Sequence, residues 1–263
     1  MGNGAAPLSP GATPMAGPYM ATPRGPTSRD ALTIAWDFPV YEAKPLGDGN
    51  SRAKAARRRL ELADAFEFLA ADDPRPLLVL RECLTCNGTD DALLTREADN
   101  EKTMLMSRWF RCVKLPPNVL EEDHPFHGLF ADEDPGHLFV ASPDGTNRRD
   151  LNGQQSRTEL WKVMEGLLHL EYASKPAYSK SLKKLSNLLD EFDSLDADIR
   201  DLEKQIDKRI EDDGPGSRKL KGLAKKLDKA KKERAEARAE AERLTKLSPR
   251  PAEEKAKLLK KKR

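Results

Sequence analysis

Two cysteines in Cys-x-x-Cys spacing, Cys83 and Cys86, are the residues of this sequence whose types and spacing best suit chemistry. The spacing lets the two sulfurs close a small disulfide, so one thiolate can attack a substrate disulfide and the other can resolve the mixed disulfide. The apolar run at residues 76–80 precedes them and is typical of a strand that is buried on both faces. This pattern predicts a redox-active thiol pair.

A helix is predicted directly after the thiols, from Thr89 to about Met106. Thr89 suits the N-cap position, and two acidic residues follow it in the first turn. The N-terminus of a helix favours a thiolate over a thiol, whereas the carboxylates of Glu82 and Asp90 disfavour the thiolate by like-charge repulsion. The sequence leaves the direction of the net effect open.

The two cysteines also suit a second chemistry, the binding of zinc. His124 and His127 have a two-residue spacing of their own, and two cysteines with two histidines form a tetrahedral zinc site. The four ligands would have to converge from two separate loops. The third cysteine, Cys112, lies within a predicted strand, and we expect it to be a core residue.

The sequence has no motif for phosphate binding or for serine-type nucleophilic catalysis. We find no glycine-rich loop of the kind that cradles phosphates, and no Ser/His/Asp arrangement that suits nucleophilic catalysis. No cofactor is therefore predicted.

The composition limits the size of the folded core. Of the 263 residues, 34% are charged, 38% are hydrophobic and 6% are aromatic. These values predict one compact domain with extensions rather than a core that fills the whole length. Three cysteines are too few for a disulfide scaffold, and no segment has the pattern of a signal peptide or of a membrane span. We expect a cytoplasmic protein.

The periodicity of apolar residues predicts an alternation of helices and strands in the first two thirds of the chain. Residues 1–30 are rich in Gly, Pro and Ala, and we expect them to be disordered. The elements predicted around the thiol segment are an edge strand within 31–40, a helix over 52–71, strands over 109–115 and 137–141, a tight turn at 143–146 with a partner strand, and a closing helix over 154–170.

The order of these elements resembles the thioredoxin superfamily over residues 52–170. The resemblance rests on the strand that runs into Cys83-Leu84-Thr85-Cys86, on the strand at 109–115, and on the strand at 137–141 before Pro143-Asp144-Gly145. It implies an α/β domain over residues 31–175, with a thioredoxin-like central sheet flanked by helices. It also implies that Cys83 attacks a substrate disulfide and that Cys86 resolves the mixed disulfide.

The resemblance also implies a substrate groove beside the fourth strand. Members of the superfamily usually carry a cis-proline there, facing the thiols; in this sequence His137, preceded by Gly136, stands in that place, and Pro135 comes two residues early. This difference motivates a second hypothesis, in which the domain keeps the fold and serves as a non-catalytic binding or scaffolding module.

The pattern changes to that of an all-α coiled coil over residues 176–248. Apolar residues recur at alternating steps of three and four from Leu182 to Ile210, and again from Leu220 to Leu244. Gly214-Pro215-Gly216 interrupts the stripe between them. We therefore predict an antiparallel helical hairpin within one chain, with arms on the order of 50 Å long.

Charge is distributed unevenly along the chain. Residues 178–213 carry 7 Lys/Arg against 11 Asp/Glu, whereas residues 214–263 carry 19 against 7. One acidic arm and one basic arm are expected to attract each other along their flanks. Residues 87–150 hold 7 basic against 13 acidic residues, so the near-neutral chain is dipolar.

The hairpin is predicted to be an interaction arm for protein partners. Its alanine-rich second stripe buries little apolar area, so a partner or a second copy of the chain would stabilise it. The basic tail at 249–263 is expected to be solvated. It has no aromatic residues for base stacking, and we do not expect the protein to have a nucleic-acid partner.

Overall fold

A computed structural model describes residues 24–42, 59–83, 94, 100–151, 156–173 and 175–261 of the chain. The helices are α1 (Pro26–Ala31), α2 (Leu62–Ala70), α3 (Glu101–Ser107), α4 (Arg157–Glu171), α5 (Lys175–Asp213), α6 (Arg218–Leu244) and α7 (Ala252–Lys261), with 3-10 turns at Pro117–Leu120 and His127–Phe130. The strands are β1 (Trp36–Asp37), β2 (Leu77–Arg81), β3 (Arg111–Leu115), β4 (Leu138–Ala141) and β5 (Arg149–Leu151).

The strands form one mixed sheet in the order β1-β3-β2-β4-β5. Strands β1 and β2 run parallel to β3, β4 runs antiparallel to β2, and β5 runs antiparallel to β4. Every residue of β2 is buried, as predicted for the continuous apolar run. The short β1 lies at the edge, where the sequence predicts an edge strand. The α/β prediction is thus confirmed at the level of a mixed sheet with helices.

The two faces of the sheet pack against different elements, because successive side chains of a strand point to opposite sides. Leu77 and Val79 of β2 join a core formed with α2 and the His127–Phe130 turn. Leu78 and Leu80 join a second core, formed with α3, α4 and the base of α5.

The turn between β4 and β5 requires a glycine. Gly145 has a φ of 80°, and a Cβ added there would lie 2.3 Å from the ring of Phe66. The side chain of Asp144 accepts a hydrogen bond from the Thr146 N–H at 2.9 Å, as such turns favour. The predicted tight turn is confirmed.

Several predicted helices are confirmed within the described residues. Helix α2 lies inside the predicted 52–71 segment, of which 52–58 are outside the described residues. The helix predicted from Thr89 to Met106 is confirmed only at its end, because α3 begins at Glu101 after the non-helical Asn100 and ends at Ser107. Helix α4 begins at Arg157, because Ser156 and Glu159 form a reciprocal capping box.

The N-terminal segment is ordered earlier than we predicted. Residues 1–23 lie outside the described residues, but Pro26–Ala31 forms α1, within the segment predicted to be disordered. The Thr27 N–H and hydroxyl donate hydrogen bonds to Asp196 of α5 at 2.8 and 2.9 Å, and the Ser28 hydroxyl donates to the Leu189 carbonyl at 2.9 Å. Composition alone predicted disorder because these partners lie 169 and 161 residues further along the chain.

The antiparallel helical hairpin is confirmed. Its first arm is α5, of 39 residues, and its second arm is α6, of 27 residues, which correspond to about 58 and 40 Å of helix. Gly214, with a φ of 77°, ends the first arm. Cross-arm ion pairs join Asp196 to Arg234 and Glu203 to Lys231, each at 2.9 Å, as the opposite charges of the arms predicted.

The base of the hairpin belongs to the core of the α/β unit. Leu185, Leu189 and Phe192 of α5 are buried in the same cluster as Leu78 of the central strand. The apolar partner that the marginal hairpin was expected to need is therefore provided by its own chain.

The basic tail forms a helix that the sequence did not predict, while most of its residues, including Lys257 and Lys260, are exposed as expected for a solvated tail. Its helix α7 packs near α4, and Arg250 donates hydrogen bonds to the carbonyls of His169 and Leu170 at 3.1 and 3.2 Å. Lys255 forms an ion pair with the buried Glu171. The last carbonyls of α4 lack donors within the helix, and the cations of the tail satisfy and neutralise that end.

We predict that Asp196→Ala destabilises the protein by about 2–4 kcal/mol, because it leaves the buried donors of Thr27 and the half-buried guanidinium of Arg234 without an acceptor. Burial raises the pKa of Asp196, but hydrogen bonds from Thr27 and Arg234 outweigh it, so this pKa lies below its ordinary value. The stabilisation should therefore be fully present above pH of about 3.9 and be lost as the pH falls through the lowered folded-state pKa.

Urea unfolding of the variant and the parent chain between pH 7 and pH 3 measures both effects. Asp198→Ala, at an exposed position of the same helix, is the matched control and should change stability by less than about 0.5 kcal/mol. An equal effect of the two substitutions would contradict the role of Asp196.

Candidate thiol site

The backbone immediately before Cys83 is fixed from both sides. The Arg81 N–H donates to the carbonyl of His137, beside β4, at 2.7 Å. The Glu82 N–H donates to the carbonyl of Leu115, at the end of β3, at 2.9 Å. Cys83 is the next residue and is half-buried, so the sheet holds this cysteine at the carboxyl ends of its parallel strands.

Arg81 is a buried cation two residues before Cys83. The residue is 5% exposed, its guanidinium donates to the Pro135 carbonyl at 3.1 Å, and it lies 5.7 Å from the centroid of the Phe130 ring. A fixed positive charge near a thiol favours the thiolate. Sequence reasoning missed Arg81, although a cation that ends a continuous apolar run was a visible signal.

The acidic neighbour that was expected to oppose the thiolate is neutralised in part. The Glu82 carboxylate forms an ion pair with Lys114 of β3 at 2.8 Å. Asp90 and Thr89 lie outside the described residues, so the electrostatic influence of the predicted helix start is not described. The described charges near Cys83 in the sequence therefore include the buried Arg81 guanidinium and the Glu82–Lys114 ion pair.

The predicted substrate groove lies beside the end of β2. The carbonyl of His137 accepts the hydrogen bond from Arg81 that extends the β2–β4 ladder, and both His137 and Gly136 are half-buried. The fold therefore brings His137 next to the strand that leads to Cys83. Its role in binding a substrate stays a prediction.

The predicted partner of Cys83, Cys86, lies outside the described residues. Cys83 is disulfide-bonded, and Cys112, the other cysteine within the described ranges, is a free thiol. The geometry of a Cys83–Cys86 pair is therefore not described, and the redox activity of that pair stays a prediction.

The three described members of the alternative zinc set are not brought together, and the fourth, Cys86, lies outside the described residues. The Nδ1 atom of His124 accepts a hydrogen bond from the Phe126 N–H at 3.2 Å, and His127 begins the 3-10 turn that packs on α2. Among the described residues, no group of three or more His, Cys, Asp or Glu side chains is arranged to hold a metal ion. Cys83, His124 and His127 are therefore not arranged as three ligands of one tetrahedral zinc site.

Cys112 is a core residue, as predicted. It is 5% exposed, and its sulfur lies 3.6 Å from the Ser107 carbonyl. Burial raises the pKa of the Cys112 thiol to about 12, while the nearby charge of Arg75 opposes that shift. Cys112 is therefore not a second reactive thiol at neutral pH.

Comparison with known proteins gives no relative: no family model, curated protein or solved structure matches the chain. In the parts of the chain that the structure describes, no helix combines the length and the apolar character needed to cross a membrane.

We predict that Cys112 in the folded chain reacts with iodoacetamide at pH 8 more than about a hundredfold more slowly than a model thiol, because its raised pKa leaves almost no thiolate. Peptide mass spectrometry of the reduced chain measures the rate at each cysteine separately. The same chain unfolded in guanidinium is the control and should be alkylated at Cys112 at an ordinary rate. Rapid alkylation of Cys112 in the folded chain would contradict its burial.

Proposed function

We propose that this protein is a thiol–disulfide oxidoreductase of the thioredoxin-like type, with Cys83 as the attacking thiol and Cys86 as the resolving thiol. The observation that supports this function most directly is the position of Cys83. Cys83 follows a strand that is buried along its whole length and is hydrogen-bonded to β3 on one side and to β4 on the other. A thiol that attacks a disulfide in line needs such a fixed position.

The sheet is consistent with the resemblance on which the proposal rests. Three parallel strands in the order β1-β3-β2, extended by the antiparallel β4 and β5, resemble the central sheet of thioredoxin-like domains. In such a domain the thiols follow the central strand and face the segment before the fourth strand. Here Cys83 follows β2, and His137 precedes β4.

The chemistry proposed for the site is a two-electron exchange. The Cys83 thiolate attacks one sulfur of a substrate disulfide, the substrate S–S bond breaks, and one substrate thiolate leaves. The Cys86 thiolate then attacks the Cys83 sulfur of the mixed disulfide and releases the second substrate thiolate. The substrate is reduced by two electrons, the protein becomes a Cys83–Cys86 disulfide, and an external dithiol reductant restores it.

The buried Arg81 supports the first step. Its guanidinium is held by a hydrogen bond to the Pro135 carbonyl and by the Phe130 ring. A fixed cation of this kind stabilises the thiolate that attacks and the thiolate that leaves.

A second candidate function is a binding or scaffolding module with the same fold. His137 motivates it, because a histidine stands where thioredoxin-like enzymes have the proline that shapes their substrate groove. In this case the thiols would bind no disulfide substrate, and the hairpin would be the surface that binds a protein partner.

The two functions are separated by reaction with oxidised glutathione. The reduced Cys86→Ser variant should retain one glutathione on Cys83, because the resolving thiol is absent. The parent chain should retain none, since Cys86 displaces the glutathione and leaves an internal disulfide. Mass spectrometry of the intact protein distinguishes the two products.

Cys112→Ala is the matched control and should behave like the parent chain, because Cys112 is buried. The oxidoreductase proposal would be wrong if the parent chain kept glutathione on Cys83, or if Cys83 reacted no faster than a model thiol. Either result would favour the scaffolding function.

A further inference from the structure

The outer half of the second arm carries almost only positive charge. Residues 218–232, the first four turns of α6, contain eight Lys or Arg and one Asp. Residues 233–244 of the same helix contain three Arg and four Glu. Both halves belong to one continuous helix and differ in the sign of their net charge.

Five of these cations form a stripe along the helix, named here the basic stripe. They are Arg218, Lys221, Lys225, Lys229 and Lys232. Their steps of three and four residues place them on one face, over about 21 Å of helix. The stripe that packs on α5, which includes Leu223 and Leu227, is offset from it by two residues and lies on the opposite side. All five cations are exposed.

The cationic surface continues across the hairpin tip. A groove of about 460 Å³ lies between the two arms and is lined by Lys208, Arg209 and Asp212 of α5 and by Lys219 and Lys226 of α6. Gly222 of α6 also lines this groove, and a Cβ at Gly222 would meet nothing within 4 Å. The groove lies between the basic stripe and the face of α6 that packs on α5, because Leu223 of that face also lines it, and it adds Lys208 and Arg209 from the first arm.

Most of these nine cations form no ion pair within the part of the chain that the structure describes. Lys229, Lys232 and Arg209 make ion pairs with a carboxylate four residues further on, at 3.5, 3.7 and 3.0 Å. The remaining six, Lys208, Arg218, Lys219, Lys221, Lys225 and Lys226, have no ion-pair partner among the residues that the structure describes. Near the base of the hairpin, by contrast, Arg24, Arg234 and Arg238 are all paired with aspartates.

We propose that the tip of the hairpin docks on the phosphate backbone of double-stranded DNA through the basic stripe and the adjoining groove. A linear row of lysines on a straight helix complements a linear polyanion, and counterion release drives the contact. The interaction is independent of base sequence, because lysines act as point charges and no side chain of the stripe reads a base edge. This surface is separate from the thiol site and does not depend on it.

Other anionic partners fit the surface less well. Single-stranded nucleic acid requires aromatic platforms for its bases, and the stripe and groove contain no aromatic residue. A membrane surface requires apolar side chains that insert beside the cations, and Leu223 is the one large apolar residue of the groove lining. A second copy carries a row of exposed acids on α5, at Glu191, Asp198 and Asp201, so the salt titration is repeated without DNA, and self-association without duplex binding overturns the proposal.

The test measures binding of a labelled 24-base-pair DNA duplex to the full chain by fluorescence anisotropy over a range of salt concentrations. Six phosphate contacts predict a slope of log affinity against log salt of about −5. Replacing Lys221, Lys225 and Lys226 together by Gln should reduce the slope by about 3 and weaken binding at least about tenfold at about 0.1 M salt. Gln has a helix propensity close to that of Lys, so the hairpin should stay folded, which circular dichroism checks.

The matched control replaces Lys180, Lys183 and Lys184, three exposed lysines near the base of α5, by Gln. It removes the same charge and should leave the slope unchanged. The proposal is overturned if the parent chain does not bind the duplex at about 50 mM salt, or if the two triple variants weaken binding equally. It is also overturned if vesicles containing phosphatidylserine are bound and the duplex is not.

Discussion

The carboxylate of Asp196 holds together three parts of this chain that are distant in sequence. It accepts hydrogen bonds from Thr27, before the sheet begins, and from Arg234, on the second arm of the hairpin, while its own helix is the first arm. A buried carboxylate is costly unless its lone pairs are filled, so the three segments meet in one arrangement. The position of α1 and the register of the two arms both depend on this contact.

A second buried carboxylate has the same role where the chain enters and leaves the base of the hairpin. Glu171, at the end of α4, accepts a hydrogen bond from Ser142, next to β4, and pairs with Lys255 of the C-terminal helix. The C-terminal segment after the hairpin is thus linked to the sheet through Glu171. The hairpin base shares its core with the α/β unit, and the outer half of the arms carries six cations that have no ion-pair partner among the described residues.

The parts of the fold that were predicted from sequence are those whose signal is local. Strand β2 is a continuous apolar run, and the hairpin shows its periodicity and its Gly-Pro-Gly break within one segment. Helix α1 and the structured tail were not predicted, because what orders them is a partner far along the chain, such as Asp196 for Thr27 or His169 for Arg250. At the thiol site, spacing indicated Cys83, whereas the burial of Arg81 follows from the packing of Phe130 and cannot be inferred from spacing.

The central claim is that Cys83 and Cys86 form a reversible two-electron couple. The most direct measurement equilibrates the full chain in glutathione redox buffers, quenches it by alkylation and counts the modified thiols by mass spectrometry. We expect one transition with a two-electron slope, in which Cys83 and Cys86 lose their labels together while Cys112 is constant. A Cys83 thiol that stays alkylatable at every potential, or that ends as a stable mixed disulfide with glutathione, would contradict the claim.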